Sequence, residues 1–364
     1  MRVVVAMSGG VDSSVAAALL RAEGHEVIGV TLNVWPKPAP SAQPEREDAC
    51  CSLSAVEDAR RVADSLGIPH YTLNFREVFA ATVIKDFVAE YQRGRTPNPC
   101  LRCNEHVKFG ALLDRAEALG ADYIATGHYA RIAYDGLRGR YLLRKGLDPA
   151  KDQSYVLYAL RQAQLARTLL PLGEMTKAET RRLAAELRLA VADKAESQEI
   201  CFVPDNDYGS FLRDQAGLAP PAGPIFDQAG RQMGTHRGLV YYTVGQRRGL
   251  GLAAGEPLYV IALDPERNAL VVGPESTLYA SCLVAEAVNL VAVPELPAPA
   301  MAKAKVRYRA PEAEAQVSQL PGGRLRVRFA QPQRAIAPGQ AVVAYQGDEV
   351  LGGGTIAAVQ RECP

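Results

Sequence analysis

A short run of glycine and serine residues near the N-terminus has the composition of an anion-binding loop. Ser8-Gly9-Gly10-Val11-Asp12-Ser13-Ser14 directly follows an apolar, β-rich run and precedes a segment rich in alanine and leucine. At the start of a helix, backbone N–H groups and small hydroxyls can surround an anion, and a chain of phosphates suits such a loop. It is not a Walker A sequence, because it has no lysine and lacks the Gly-Lys-Ser/Thr ending.

The same loop resembles the pyrophosphate loop of the ATP pyrophosphatases, which split ATP into AMP and pyrophosphate to adenylate an oxygen. This resemblance implies ATP as a substrate and an Mg²⁺ ion bridging its phosphates, with Asp12 nearest to support the ion. An ordinary glycine-rich turn between a strand and a helix is the alternative. Taken alone, the loop suits an amidotransferase-type ligase as well as a sulfur-inserting enzyme.

Two cysteines bear on the choice between these chemistries. Cys103 lies just before a helical pattern, where the helix N-terminus and the neighbouring Arg102 and Lys108 would favour its thiolate. Cys201 is distant in sequence and lies between two apolar residues, a setting that also fits a buried core cysteine. Two separated thiols favour sulfur chemistry over ligation.

With these motifs the chain is similar, over nearly its whole length, to the bacterial tRNA-specific 2-thiouridylases, which are wobble-uridine sulfurtransferases. The other landmarks that carry the resemblance are Ala125-Thr126-Gly127-His128-Tyr129, Lys151-Asp152-Gln153-Ser154-Tyr155, Tyr242-Thr243-Val244-Gly245-Gln246-Arg247-Arg248-Gly249-Leu250-Gly251 and Pro338-Gly339-Gln340. The resemblance implies ATP-dependent 2-thiolation of the uridine at position 34 of tRNA. It also implies lysine, glutamate and glutamine acceptors and a sulfur donor protein, either a cysteine desulfurase or a sulfur-relay carrier.

The resemblance assigns roles to individual positions. Cys103 is implied as the nucleophile and Cys201 as the persulfide carrier. The positions implied to hold ATP are Met7, Ser8, Gly9, Gly10, Val11, Asp12, Ser13, Ser14, Leu32 and Gly127. Those implied to contact tRNA are Asn98, Pro99, Cys100, His128, Lys151, Asp152, Gln153, Arg307, Tyr308 and Gln340.

In the implied reaction the uridine leaves the anticodon stack, where unpaired bases are accessible at low cost. ATP adenylates its 2-oxygen, with Ser8, Ser13 and backbone N–H groups holding the leaving pyrophosphate. The persulfide sulfur on Cys201 then attacks carbon 2 and AMP leaves. Cys103 releases that sulfur by forming a disulfide with Cys201, or acts after hydrosulfide is freed.

Cys100 leaves an alternative open. Some relatives have aspartate at this position, and the extra thiol permits Cys100, Cys103 and Cys201 to hold three corners of a four-iron four-sulfur cluster. Zinc is less favoured, because no second Cys-x-x-Cys exists, and no other metal site is expected. Two further hypotheses are a small-molecule adenylating ligase or amidotransferase, and a catalytically silent tRNA-binding or iron–sulfur carrier protein.

The elements that must position these residues are predicted by the hydrophobic pattern. Apolar runs at 2–7, 27–34, 69–73 and 122–126 alternate with helical periodicity and predict a Rossmann-like parallel α/β sheet of the adenine nucleotide alpha hydrolase type. A proline-rich loop is predicted over 36–49, beside Trp35, Cys50 and Cys51, and helix over 155–190. We expect a catalytic domain at 1–205, a small, mostly β domain at 206–277, and a tRNA-contacting β-barrel at 278–364.

The net charge, the cysteine count and the length of the apolar runs limit which classes of protein the chain can belong to. The net charge is only +1, yet the segment from Lys303 to Arg334 carries a local charge of +6, so any nucleic-acid surface must be local. An odd number of cysteines, seven, without a secretion signal argues against a structural disulfide framework and predicts a reducing cytoplasm. Cys282 and Cys363 are predicted to be structural. The apolar runs are too short for a membrane span, and we expect a monomer.

Overall fold

The computed structural model describes residues 1–34, 53–195, 200–203, 207–216 and 220–363. It consists of two compact units: residues 1–84, 100–206 and 348–350 form the first, and residues 85–99, 207–347 and 351–364 form the second. The loop predicted over 36–49 lies outside the described residues, as do Trp35, Cys50, Cys51 and residues 196–199, which precede the Cys201 segment.

The regular elements alternate in the first half of the chain and are almost all strands in the second. The strands are β1 (Arg2–Ala6), β2 (Glu26–Asn33), β3 (His70–Asn74), β4 (Tyr123–Ala125), β5 (Ala130–Asp135), β6 (Arg140–Lys145), β7 (Thr168–Leu169), β8 (Gly223–Phe226), β9 (Gln232–His236), β10 (Tyr259–Asp264), β11 (Ala269–Gly273), β12 (Tyr279–Leu290), β13 (Ala300–Lys305), β14 (Ala313–Leu320), β15 (Arg324–Arg334), β16 (Ala341–Gln346) and β17 (Glu349–Gln360). The α-helices are α1 (Val11–Ala22), α2 (Leu53–Leu66), α3 (Arg76–Phe79), α4 (Lys85–Gln92), α5 (Pro99–Arg102), α6 (Leu112–Ala118), α7 (Gln162–Ala166), α8 (Lys177–Glu186) and α9 (Tyr208–Ala216). Wider π-helical turns at Ala80–Ile84 and Cys103–Ala111 join α3 to α4 and α5 to α6.

A parallel sheet forms the centre of the first unit. Among the described strands its order is β3-β2-β1-β4-β7, and every pairing within it is parallel. Val3, Val4 and Val5 of β1 are fully buried, as expected for a central strand covered on both faces by helices. The predicted α/β class is therefore confirmed.

The helical character predicted over 155–190 is divided among short elements, with a strand between two of the helices. The chain forms a 3₁₀ turn at Ser154–Leu157, the short helix α7, the strand β7 and then α8. Pro171 and Gly173 lie between β7 and α8 and cannot continue a helix there.

The second unit is rich in β-structure. Strands β8 to β11 form a small sheet in the order β10-β11-β8-β9, as expected for the central part of the chain. Strands β12 to β17 follow in the order β12-β15-β14-β13-β16-β17, and an additional pairing of β12 with β17 closes them into a barrel. Within the described residues this is a six-stranded barrel, and the predicted C-terminal barrel is confirmed.

The barrel also contains a disulfide that sequence analysis did not expect. Cys282 on β12 is joined to Cys363, which follows β17. The two cysteines are 81 residues apart, so their proximity depends on barrel closure and cannot be read from local pattern. No helix of the described chain has the length and apolar character needed to cross a membrane.

Candidate active site

The predicted phosphate loop lies where the order of the parallel sheet reverses. The chain runs from β1 outward to β3 on one side, and β4 then pairs with the other edge of β1. In open parallel sheets, ligands bind in the crevice beyond the carboxyl ends of the strands at such a reversal. The loop after β1 and the segment after β4, with Gly127 and His128, both end at this crevice.

The loop itself has the shape of an anion cradle. Gly10 is extended and precedes the first residue of α1, so the helix begins with N–H groups that have no carbonyl partner in the helix. The hydroxyl of Ser13 accepts a hydrogen bond from the Ser8 N–H at 3.1 Å, which curls the loop around this helix start. Ser14 Oγ donates to Gly10 O at 2.8 Å. These contacts fix the conformation of the loop, and its phosphate-binding role stays a prediction.

Two glycines are required by close approach of other backbone. Gly9 has a φ of +67°, and a Cβ there would lie 2.2 Å from the carbonyl oxygen of Ala55. A Cβ on Gly127 would lie 2.7 Å from the Asp12 carbonyl carbon and from the Ser13 nitrogen. The segment after β4 is therefore in backbone contact with the phosphate loop, as the implied ATP role of Gly127 requires.

The Gly127→Ala variant is expected to lose about 1–3 kcal/mol of unfolding free energy, because the new methyl group displaces backbone rather than a flexible side chain. We also expect a loss of ATP affinity, since the displaced atoms belong to the phosphate loop. Chemical denaturation and equilibrium ATP binding measure the two effects. Gly136→Ala is the matched control, because its Cβ would meet nothing within 4 Å; equal behaviour of both variants would contradict the prediction.

Asp12 is the centre of a network of side chains that sequence analysis missed. Its Oδ1 accepts a hydrogen bond from Lys177 Nζ at 2.7 Å and another from the Tyr129 hydroxyl at 2.8 Å. Tyr129 in turn approaches Thr180 Oγ1 at 3.0 Å. Lys177 therefore brings an ammonium group to a loop that has no lysine in its own sequence.

A second lysine contacts the loop from another direction. Lys194 Nζ donates to Gly9 O at 3.1 Å and to Asp58 Oδ2 at 2.6 Å. Burial acts to raise the pKa of Asp58, but hydrogen bonds from Lys194 and Arg61 outweigh it and lower this pKa. Lys194 thus ties the phosphate loop to helix α2 through a charged pair.

A local signal for Lys177 was present in the sequence. Thr176 and Glu179 form a capping box that begins α8, and Lys177 is the first residue of that helix. The capping box predicts a helix start but does not predict which loop the helix faces. Lys194 carried no recognisable signal.

Cys103 lies within continuous helical structure and not just before it. It is the first residue of the π-helical segment and is partly exposed, while Cys100 is more exposed. Arg102 forms an ion pair with Glu105 at 2.9 Å, so part of its charge is balanced by a carboxylate and is not directed at the thiol alone. Asn104 is buried and donates to Val156 O at 3.0 Å, which anchors this turn.

Cys201 lies in a short described turn, residues 200–203, and is partly exposed. The alternative of a fully buried core cysteine therefore does not apply. Its neighbour Phe202 is buried and packs edge-on against Phe79, with 5.4 Å between ring centroids. Val203 is buried as well. The apolar neighbours hold the turn in the unit, while Cys201 itself is partly exposed.

Several residues implied to contact tRNA have contacts inside the first unit. Asp152 is buried and accepts hydrogen bonds from the Gly146 and Ser154 N–H groups. Gln153 Oε1 accepts the Tyr129 N–H at 2.9 Å. His128 is buried, its Nδ1 lies 2.7 Å from Thr126 Oγ1, and burial together with the charge of Lys108 holds its pKa well below the usual value. At neutral pH the His128 ring is uncharged.

The implied contacts in the second unit differ in exposure. Arg307 is exposed and Tyr308 is partly exposed, with Lys305 Nζ 5.9 Å from the Tyr308 ring centroid. Gln340 instead donates to Thr96 O at 2.9 Å, and so supports the backbone that leads to Asn98 and Pro99. Tethering that segment is therefore one function of Gln340.

Two inorganic groups, an Mg²⁺ ion and an iron–sulfur cluster, can be compared with the side chains of the described residues. Asp12 Oδ2 accepts no hydrogen bond from any described residue, so this partly exposed oxygen fits an Mg²⁺ ion that also binds phosphate oxygens. Across the described residues, no three His, Cys, Asp or Glu side chains are grouped as metal ligands. Cys100, Cys103 and Cys201 do not form such a group.

Comparison with known families gives three consecutive matches. Residues 1–205 match the family model described as "tRNA methyl transferase HUP domain". Residues 209–274 match "tRNA methyl transferase PRC-barrel domain", and residues 280–356 match "Aminomethyltransferase beta-barrel domain". The first of these matches alone covers more than half of the chain.

Curated relatives match over the full length. The "tRNA-specific 2-thiouridylase MnmA" of Moorella thermoacetica is 59% identical over 98% of this chain and 100% of its own length. The proteins of the same name from Pelotomaculum thermopropionicum and Geobacter metallireducens are 56% and 55% identical, over 98% and 99% of this chain and 97% and 98% of their own lengths. A solved 4-thiouridine synthetase–RNA complex aligns only weakly, with 18% identity over 55% of this chain and 44% of that chain and a TM-score of 0.34, a similarity from which nothing about function follows.

Proposed function

Because the chain belongs to the tRNA-specific 2-thiouridylase family, we propose that it uses ATP to replace the 2-oxygen of the wobble uridine, position 34 of tRNA, with sulfur. The identity to the Moorella thermoacetica relative of that name, 59% over its full length, supports this activity. Two of the matching family models have methyl transferase in their descriptions. A phosphate loop together with two accessible cysteines, however, is suited to adenylation and sulfur transfer.

The observation that carries the proposal is the network around Asp12. If the loop only capped a helix, Asp12 would not need hydrogen bonds from both Lys177 and Tyr129 on its Oδ1 atom. Its other carboxylate oxygen, Oδ2, accepts no hydrogen bond from the described residues. In the adenylation half-reaction, the N–H groups at the start of α1 and the hydroxyl of Ser8 hold the departing pyrophosphate. Lys177 balances its negative charge. An Mg²⁺ ion on Asp12 Oδ2 would neutralise the phosphates.

In the second half-reaction Cys201 carries the sulfur to be transferred, as a persulfide. The terminal sulfur attacks carbon 2 of the adenylated uridine, and the C–O bond to AMP breaks. Cys103 thiolate attacks the Cys201 sulfur, so the S–S bond to the transferred sulfur breaks and a Cys103–Cys201 disulfide forms. A thiol reductant must then restore both cysteines by supplying two electrons.

The proposal extends to partners and organisation. We propose lysine, glutamate and glutamine acceptor tRNAs as substrates, contacted by Lys151, Arg307 and Tyr308, and a cysteine desulfurase or relay carrier as sulfur donor. A cytoplasmic monomer is proposed, because tRNA and such donors are available there. We further propose catalytic, central and barrel domains at 1–205, 206–277 and 278–364.

A reconstituted reaction tests the proposed function. The protein is incubated with unmodified tRNA, ATP and a persulfide source, and the tRNA nucleosides are analysed by mass spectrometry. We expect 2-thiouridine at position 34 and pyrophosphate release that depends on tRNA. Pyrophosphate release with a small molecule and without tRNA would instead support the ligase or amidotransferase alternative.

The Cys100→Ser variant separates the sulfur relay from the iron–sulfur alternative. In the relay only Cys103 and Cys201 exchange sulfur, so the variant should stay within about threefold of the parent rate. Anaerobically purified parent protein should thiolate tRNA with an added persulfide donor and contain no stoichiometric iron. A variant as inactive as Cys201→Ser, with parent activity that follows iron content, would contradict the relay.

A further inference from the structure

Three arginines form a regular row on the outside of the barrel. On β15, Arg324, Arg326 and Arg328 alternate with Leu325 and Val327, whose side chains are buried in the barrel interior. Arg324 and Arg328 are exposed and Arg326 is partly exposed. Two residues along a strand advance by about 6.6–6.8 Å, so the row presents guanidinium groups at an even spacing.

The residues paired with Arg326 and Arg328 on the two adjacent strands carry no charge. On the neighbouring β14, Gln316 pairs with Arg328 and Ser318 pairs with Arg326, and neither carries a charge. Within the described residues none of the three arginines forms an ion pair, and Nε of Arg326 is buried without a hydrogen-bond partner. Arg334, near the end of the same strand, is by contrast paired with Glu275 at 2.8 Å.

An uncompensated row of like charges is unfavourable for the barrel itself, because side chains of the same sign on one strand face repel one another. Its chemistry suits an extended polyanion, since arginine binds phosphate through two parallel N–H groups. Strand β14 separates this row from β13, on which Lys303 pairs with Glu314 of β14 at 3.5 Å. Strand β13 leads on to Arg307 and Tyr308, the proposed tRNA contacts, so the arginine row is a basic feature distinct from them.

We propose that Arg324, Arg326 and Arg328 form a phosphate-backbone contact for the RNA substrate, separate from the contact at Arg307 and Tyr308. This inference rests on the proposed function, because it takes RNA as the polyanion. The polar neighbours Gln316 and Ser318 favour a hydrated phosphate contact over a protein interface, whose centre would be depleted in charge and enriched in aromatic residues.

The test is the salt dependence of tRNA binding by the variant Arg324→Gln/Arg326→Gln/Arg328→Gln. Glutamine keeps most of the side-chain stem and removes the charge. If all three arginines contact phosphates, the slope of log affinity against log salt should decrease by about 2 to 3, with affinity at least about tenfold lower near 0.1 M salt. At saturating tRNA, the rate of adenylation should equal that of the parent protein.

The matched control is Arg93→Gln/Arg182→Gln/Arg231→Gln, which removes the same charge from exposed arginines that pair with nearby carboxylates. A β15 variant with the same salt slope and affinity as this control would overturn the proposal. Unchanged tRNA binding with impaired sulfur delivery from a donor protein would overturn it in favour of a protein partner. If the parent protein binds tRNA but never thiolates it, the proposed function is wrong. The comparison of salt slopes between the β15 variant and the control still tests whether the arginine row binds RNA.

Discussion

The Cys201→Ser variant is expected to lose thiolation by at least about 10³-fold, while tRNA-dependent exchange of pyrophosphate into ATP stays within about twofold of the parent rate. Serine cannot carry a persulfide, so no sulfur reaches carbon 2 of the uridine. The phosphate loop and the contacts of Asp12 do not involve Cys201. Adenylation should therefore continue without transfer.

Nucleoside mass spectrometry and radiolabelled pyrophosphate exchange, measured on the same preparation, check both parts of this expectation. Cys100→Ser is the matched control, because it removes a thiol of the same unit that the relay does not use. If Cys201→Ser lost exchange as severely as thiolation, Cys201 would act before or during adenylation, and the proposed order of steps would be wrong.

The Asp12→Asn variant is expected to lower pyrophosphate exchange by at least about 10³-fold and to change the tRNA dissociation constant by less than about twofold. Asparagine has the same shape but removes the anion that Lys177 binds at 2.7 Å and the open oxygen proposed for Mg²⁺. Contacts to the RNA backbone belong to other surfaces. Exchange kinetics and equilibrium tRNA binding measure the two quantities.

Asp114→Asn, on the exposed face of α6, is the control for removal of a carboxylate. The double variant Asp12→Asn/Lys177→Met adds a second check. If Lys177 acts only together with Asp12, the double variant should be no slower than Asp12→Asn alone, because the two effects are then not additive. Equal loss of adenylation and tRNA affinity in Asp12→Asn would contradict the assignment.

The phosphate loop was predictable because its signal is local. A buried strand, two glycines with small residues and a helix start occupy consecutive positions from Arg2 to Ala22. The barrel was predictable for a similar reason, since alternation at Arg324-Leu325-Arg326-Val327-Arg328 reveals one buried and one exposed face. In both cases the spacing of the apolar residues and the residue types at the turns match the burial seen in the folded structure.

The rest of the site was not predictable because it depends on contacts between distant segments. Tyr129 and Lys177 reach Asp12 from 117 and 165 residues away. Gln153 and Gln340, implied to contact tRNA, bond to backbone at 24 and 244 residues' separation. Sequence patterns identify residue types that could bind a ligand, but hydrogen bonding to the fold becomes visible only in three dimensions.

The disulfide in the barrel determines how the C-terminus carries mechanical load. Cys363 is bonded to Cys282, so a force applied beyond Cys363 enters the chain at β12 and bypasses strands β13 to β17. The chain between the two cysteines, which are separated by 81 positions, then cannot be extended, which withholds roughly 270–290 Å of contour length from stretching. After reduction the same force would act on the hydrogen bonds between β12 and β17, and the barrel would open strand by strand from its end.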